Sequence, residues 1–108
     1  MDITKIWLSQ RNLRRAGQIP AMVRTLCNDG VLPPITLARC EDGEIQVDDG
    51  HHRLIAIWLS GKNDLDLHDY VMIEKDRWKP RCGKISDLMQ ILEWKQNADW
   101  DLSQRLQK

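Results

Sequence analysis

Apolar and polar positions alternate in two stretches of the chain and recur at helical spacing in three others. Ile35 to Cys40 alternates as a half-buried strand does, and so does Ile45 with Val47. Between them Glu41-Asp42-Gly43-Glu44 signals a hairpin, with Asp-Gly suited to the positive φ angles of a type I′ turn. Upstream, Met22, Val23 and Leu26 share one face of a helix expected over residues 19–30. Pro20 fits its first position, and Asn28-Asp29-Gly30 stops it with Gly30 at C′. Every residue from Leu54 to Leu59 is apolar, which predicts a helix packed on more than one side and ended by Gly61. Ile3, Ile6, Trp7 and Leu8 suggest a first strand. Leu65, Leu67 and Tyr70 to Ile73 suggest a later one, with Val71 and Ile73 facing one way. Ser86 reads as the N-cap of an amphipathic helix carrying Leu88, Ile91, Leu92 and Trp94 to about Asn97. These elements predict one α/β (mixed α+β) domain over 1–108, a small mixed sheet with packed helices.

The polar residues between strand and helix change the picture from fold to chemistry. Asp48, Asp49, Gly50, His51, His52 and Arg53 lie together where the apolar helix begins. A helix start carries unpaired N–H groups and a partial positive charge, so it favours anions. Gly50 lets a phosphate approach the backbone, and Arg53 offers two parallel hydrogen bonds to it. Asp48 or Asp49 offers a ligand for magnesium. The plainer alternative is an Asp49 N-cap followed by solvated first-turn side chains.

The run Asp49-Gly50-His51-His52-Arg53-Leu54-Ile55-Ala56 resembles the signature segment of the ParB/sulfiredoxin superfamily. Residues 19–35, IPAMVRTLCNDGVLPPI, are similar to the ParB-type helix, glycine and Pro-Ile strand entry. The likeness runs from about Ile3 to Glu74, leaving 85–108 as a helical extension. It implies a nucleotide phosphate site at this turn, since the superfamily includes CTP-using partition proteins, ATP-using sulfiredoxins and free-serine kinases. On that reading Gly50, His51, His52, Arg53 and Arg11 hold phosphate. His52 and Asp49 are the catalytic candidates, and the cofactor is a nucleotide of the ATP, ADP or CTP class, with Mg2+ at Asp48 and Asp49.

Departures from the superfamily narrow the expectation. Sulfiredoxins place a catalytic cysteine where this chain has His51. The partition proteins carry Gly-Glu-Arg-Arg where Gly50-His51-His52-Arg53 stands, and this sequence ends short of their DNA-binding and dimerisation domains. The serine kinases use an acid near a segment where this chain has none between Lys5 and Thr25, only Arg11, Arg14 and Arg15. If the chain is an enzyme, phosphoryl or nucleotidyl transfer is the chemistry these parts suit.

Composition adds bounds. The 108 residues carry 16 basic and 16 acidic side chains, so no global field draws the chain to nucleic acid or an anionic membrane. No apolar run approaches the ~20 residues that span a bilayer, and Met1 to Lys5 does not open a secretory signal, so a cytoplasmic location is expected. Cys27, Cys40 and Cys82 form no C-x-x-C pair; Cys27 and Cys40 read as small core residues. Arg77 to Lys84 is a local basic patch around Trp78, suited to stacking a base. With the basic segment 11–15 and with Trp94 and Trp100 in the tail it carries the alternative reading of a non-catalytic DNA- or protein-binding accessory or a homodimer. A ParB-like nuclease, with the histidines and acids holding a metal, ranks below it.

Overall fold

The computed structural model describes residues 1–10, 13, 15–77 and 79–90. Among the described residues five strands form one mixed sheet in the order β4-β2-β3-β1-β5. They are β1 Trp7–Leu8, β2 Ile35–Cys40, β3 Ile45–Asp49, β4 Tyr70–Lys75 and β5 Gly83–Lys84, with helices α1 Ile19–Cys27 and α2 His51–Leu59. β2 pairs antiparallel with β3 and parallel with β4, while β1 runs parallel to β3 and antiparallel to β5. The expected α/β mixed fold is therefore present. Among the described residues no helix is long and apolar enough to cross a membrane.

Alternation along the strands separates two sheet faces. Ile35, Leu37 and Val47 are buried against α2, whose Leu54, Ile55 and Ala56 have no exposed surface. α1 adds Ile19, with Met22, Val23 and Leu26 packed against this core. The opposite face carries Ala38, Cys40 and Gln46, all buried, with Asp48 and Lys75. The buried amide of Gln46 accepts from the Cys40 thiol at 3.5 Å.

Several local expectations shift. The first strand is only Trp7–Leu8, because Ile3–Lys5 forms a 3-10 turn capped by Asp2, whose carboxylate accepts from the Thr4 N–H at 2.9 Å. α1 ends at Cys27, with Pro20 second rather than first in the helix. Asp29, not Gly30, takes the left-handed position at φ 62°. The Gly30 N–H then reaches back to the Thr25 carbonyl at 2.8 Å and Asp29 N–H to Leu26 at 3.3 Å, closing a Schellman motif. Gly30 is still required, because a Cβ there would lie 2.5 Å from the Thr25 methyl. The hairpin turn is not type I′: only Gly43 has positive φ, and its N–H donates to Cys40 O at 2.9 Å. Leu67 is exposed and lies outside β4. Cys27 is exposed rather than core, whereas Cys40 is buried. Ser86 is not a cap: the chain makes a 3-10 turn over Ile85–Gln90, with Asp87 accepting from Lys84 N–H at 3.0 Å. The continuation expected to Asn97 lies outside the described residues.

Candidate functional site

Strand direction gathers the candidate residues at one sheet edge. β1 and β3 are parallel, so Ser9 after β1 and Gly50 after β3 emerge side by side. β2 is antiparallel to β3 and enters from the same edge through Pro33 and Pro34. Cys82 N–H donates to Leu8 O at 2.7 Å, which brings the segment from Lys79 to Cys82 alongside.

Gly50, not Asp49, is the N-cap of α2, and it has φ 106° and makes no side-chain cap bond. Helical bonding begins with Leu54 N–H to Gly50 O at 3.0 Å. The N–H groups of His51, His52 and Arg53 come before that bond and are the orphan donors of a helix start. Glycine is needed at position 50 for two reasons. The left-handed backbone disfavours other residues, and an added Cβ would sit 3.0 Å from Arg53 Nη2 and 3.2 Å from Ile35 Cγ2.

His51 turns inward. Its side chain is buried, and Nε2 accepts from the Ser9 N–H at 3.0 Å, with Ser9 Oγ at 3.3 Å. An Nε2 that accepts from an amide leaves the ring proton on Nδ1. Burial, then the nearby Lys79 and His52, lower its pKa to about 4. His51 thus joins the turn to β1 as a neutral ring, and its ring does not face outward as a phosphate ligand.

His52 is half-buried and its Nε2 accepts from the Arg15 N–H at 3.1 Å. Burial and then the Arg15 charge lower its pKa, so this imidazole is also held neutral, with Nδ1–H as its donor. Arg53 folds back over Gly50. Its Nη1 donates to Pro33 O at 3.2 Å and Pro34 O at 2.9 Å, and its Nη2 pairs with Asp49 at 3.3 Å. Arg53 therefore ties the α2 start to the entry of β2. Asp49, a catalytic candidate from the sequence, is engaged by this ion pair.

Asp48 and Asp49 diverge, as neighbouring strand residues do. Asp48 pairs with Lys75 at 2.5 Å, and its carbonyl accepts from Lys79 Nζ at 2.9 Å. Asp49 is mostly exposed beside Arg53. The two carboxylates thus do not converge on a shared magnesium position. Among the described residues the one cluster with metal-like spacing is Asp66, His68 and Asp69. The Lys62 ammonium already lies within it, 2.7 Å from both Asp66 and Asp69, and those bonds raise its pKa.

The basic segment is largely engaged within the fold. Arg81 makes a two-pronged pair with Asp42 at 2.8 and 3.0 Å, which ties the exposed hairpin turn to the segment before β5. That bond is the main cause of the lowered Asp42 pKa. The Arg81 guanidinium lies 5.6 Å and Lys84 Nζ 4.7 Å from the Trp7 ring centre. Arg11, Arg14, Trp78, Trp94 and Trp100 lie outside the described residues.

Ser9 is a part of this edge that the sequence did not single out, and Lys79 was read only within the basic patch of Arg77 to Lys84, not as a neighbour of His51 and Asp48. Ser9 lies 42 positions from His51, and no local pattern links them. The class that fold and edge define is a small mixed α/β domain with an uncapped helix start framed by two neutral histidines. No family model, curated protein or solved structure matches the chain.

Proposed function

We propose that this protein binds a nucleotide or a phosphorylated small molecule, with phosphate held at the first turn of α2. The observation that carries the reading is the N-terminus of this nine-residue helix, which follows a left-handed glycine and has no side-chain cap. Such a start presents several N–H groups and the positive end of the helix dipole to an anion. Two cationic residues adjoin this turn: Arg15, whose N–H donates to His52, and Lys79, whose Nζ donates to Asp48 O. The neutral His52 adds an Nδ1–H donor and is the group suited to move a proton if phosphate is transferred. Phosphoryl or nucleotidyl transfer fits such parts because that chemistry depends on positioning and charge neutralisation. In this reading Arg53 shapes the turn rather than gripping the ligand, and Asp49 anchors Arg53.

The test is calorimetric titration of the full chain with ATP, ADP, CTP and GTP, with and without magnesium. Wild type should bind at least one of them saturably. Lys79→Ala and Arg15→Ala should each weaken that binding by about tenfold, the loss of one charge-assisted contact. Wild type that binds none of the four rejects the nucleotide reading. A magnesium requirement lost in Asp49→Asn would overturn the assignment of Asp49 to Arg53 alone and give it a metal role.

A further inference from the structure

We infer that β4 pairs antiparallel with β4 of a second copy of this chain, about a two-fold axis at Met72. β4 is an edge strand, and among the described residues no strand lies along its outer side. It is regular over six residues, in continuous register with β2 from Tyr70 to Lys75. Natural edges are usually blunted by proline, bulges or central charges. Here Tyr70-Val71-Met72-Ile73 has none, and the charges Glu74 and Lys75 come only at the end. Val71 is 53% exposed, one of three large apolar side chains so open to solvent among the described residues.

The backbone fixes which groups are available. Ile35 is aligned with Tyr70, and its N–H donates to Asp69 O at 2.9 Å. In a parallel ladder this turns the polar groups of Asp69, Val71 and Ile73 toward β2. Those of Tyr70, Met72 and Glu74 then point outward. An axis at Met72 places Met72 opposite its own copy and Tyr70 opposite the copy's Glu74. All of these are outward-pointing residues that exchange both backbone bonds. Val71 then faces the copy's Ile73 in the closer, non-hydrogen-bonded kind of pair, apolar against apolar on the same face. Competing registers fit less well. An axis at Glu74 opposes like charges, and an axis at Ile73 sets Val71 against Lys75. Two paired strands bury less than a standard interface of about 1,600 Å², so the dimer should be reversible and concentration-dependent.

Sedimentation of the full chain across the micromolar range tests this, with Val71→Lys beside wild type. Position 71 is exposed, so this variant should keep its circular dichroism and melting temperature. Wild type should approach dimer as concentration rises, and Val71→Lys should lower the association constant by about tenfold or more. In a Cys27→Ser background, Val71→Cys with Ile73→Cys should form an interchain disulfide under mild oxidation, while either substitution alone should not. Wild type that stays monomeric overturns the pairing, as does a dimer that Val71→Lys leaves intact. A dimer in which the double variant fails to link overturns the register.

Discussion

The two ends of α2 solve the same problem in opposite ways. At its C-terminus Gly61 adopts φ 106°, and the N–H groups of Gly61 and Lys62 return to Trp58 O at 3.1 Å and Ile57 O at 3.4 Å. Lys62 then meets Asp66 and Asp69, so backbone and charges there are matched within the fold. At the N-terminus a glycine of the same φ caps the helix, but its side chains turn away from the helix end. Arg53 serves the Pro33 and Pro34 carbonyls, His51 serves Ser9, and His52 serves Arg15. A cluster of polar residues is therefore not by itself a binding site. The C-terminal cluster is closed by its own lysine, and the N-terminal one leaves backbone donors at the helix start without a side-chain cap.

The largest expected effect concerns His51. Its folded pKa of about 4 lies below its ordinary 6.5, so the native state favours the neutral ring. The stability this gives is complete above pH 6.5 and is lost as pH falls through the interval toward 4, a change of about 3 kcal/mol. Chemical denaturation at a series of pH values should show that slope, and His51→Gln, which keeps an acceptor for Ser9, should flatten it. An unchanged slope in the variant would mean that another group carries it.

The glycines sharpen the contrast next. Both need a left-handed backbone, but a Cβ at Gly50 meets Arg53 and Ile35, whereas one at Gly61 meets nothing within 4 Å. Gly50→Ala should cost about 2–3 kcal/mol and Gly61→Ala about 1 kcal/mol. Equal shifts in melting temperature would break the distinction. The smallest effect is on the side-chain ties. Arg53→Ala should cost about 1–2 kcal/mol, because two carbonyls lose a charged donor. Lys62→Ala removes one exposed pair, with Asp66, and one part-buried pair, with Asp69; because the ammonium itself is 37% exposed against 20% for Arg53, it should lower the melting temperature less. The reverse order would place the structural tie at the wrong end.

Periodicity made most of the fold legible. β2 and β3 lie where alternation placed strands, although Leu37 with Ala38 and Gln46 with Val47 bury both faces rather than one, and α2 contains the unbroken run Leu54 to Leu59 and ends before Gly61. β5 was not legible, because two residues of a basic loop pair with β1 only once the chain has folded back. For the site, the sequence located the turn and the glycine but not the direction of any side chain. Asp48 and Asp49 read as a pair, yet strand geometry sends them to Lys75 and Arg53. Arg53 read as an anion grip, yet the carbonyls of two prolines lie within its reach.

What the sequence alone determined is the order of elements and the polar turn between β3 and α2, because hydrophobic period and glycine placement act over a few residues. Tertiary structure alone decided which polar groups are already satisfied. Apart from the local Asp49–Arg53 pair, the partners of His51, His52, Arg53 and Asp48 arrive from 19 to 42 positions away. Long-range pairing of that kind is set by strand order and packing, which no local pattern encodes.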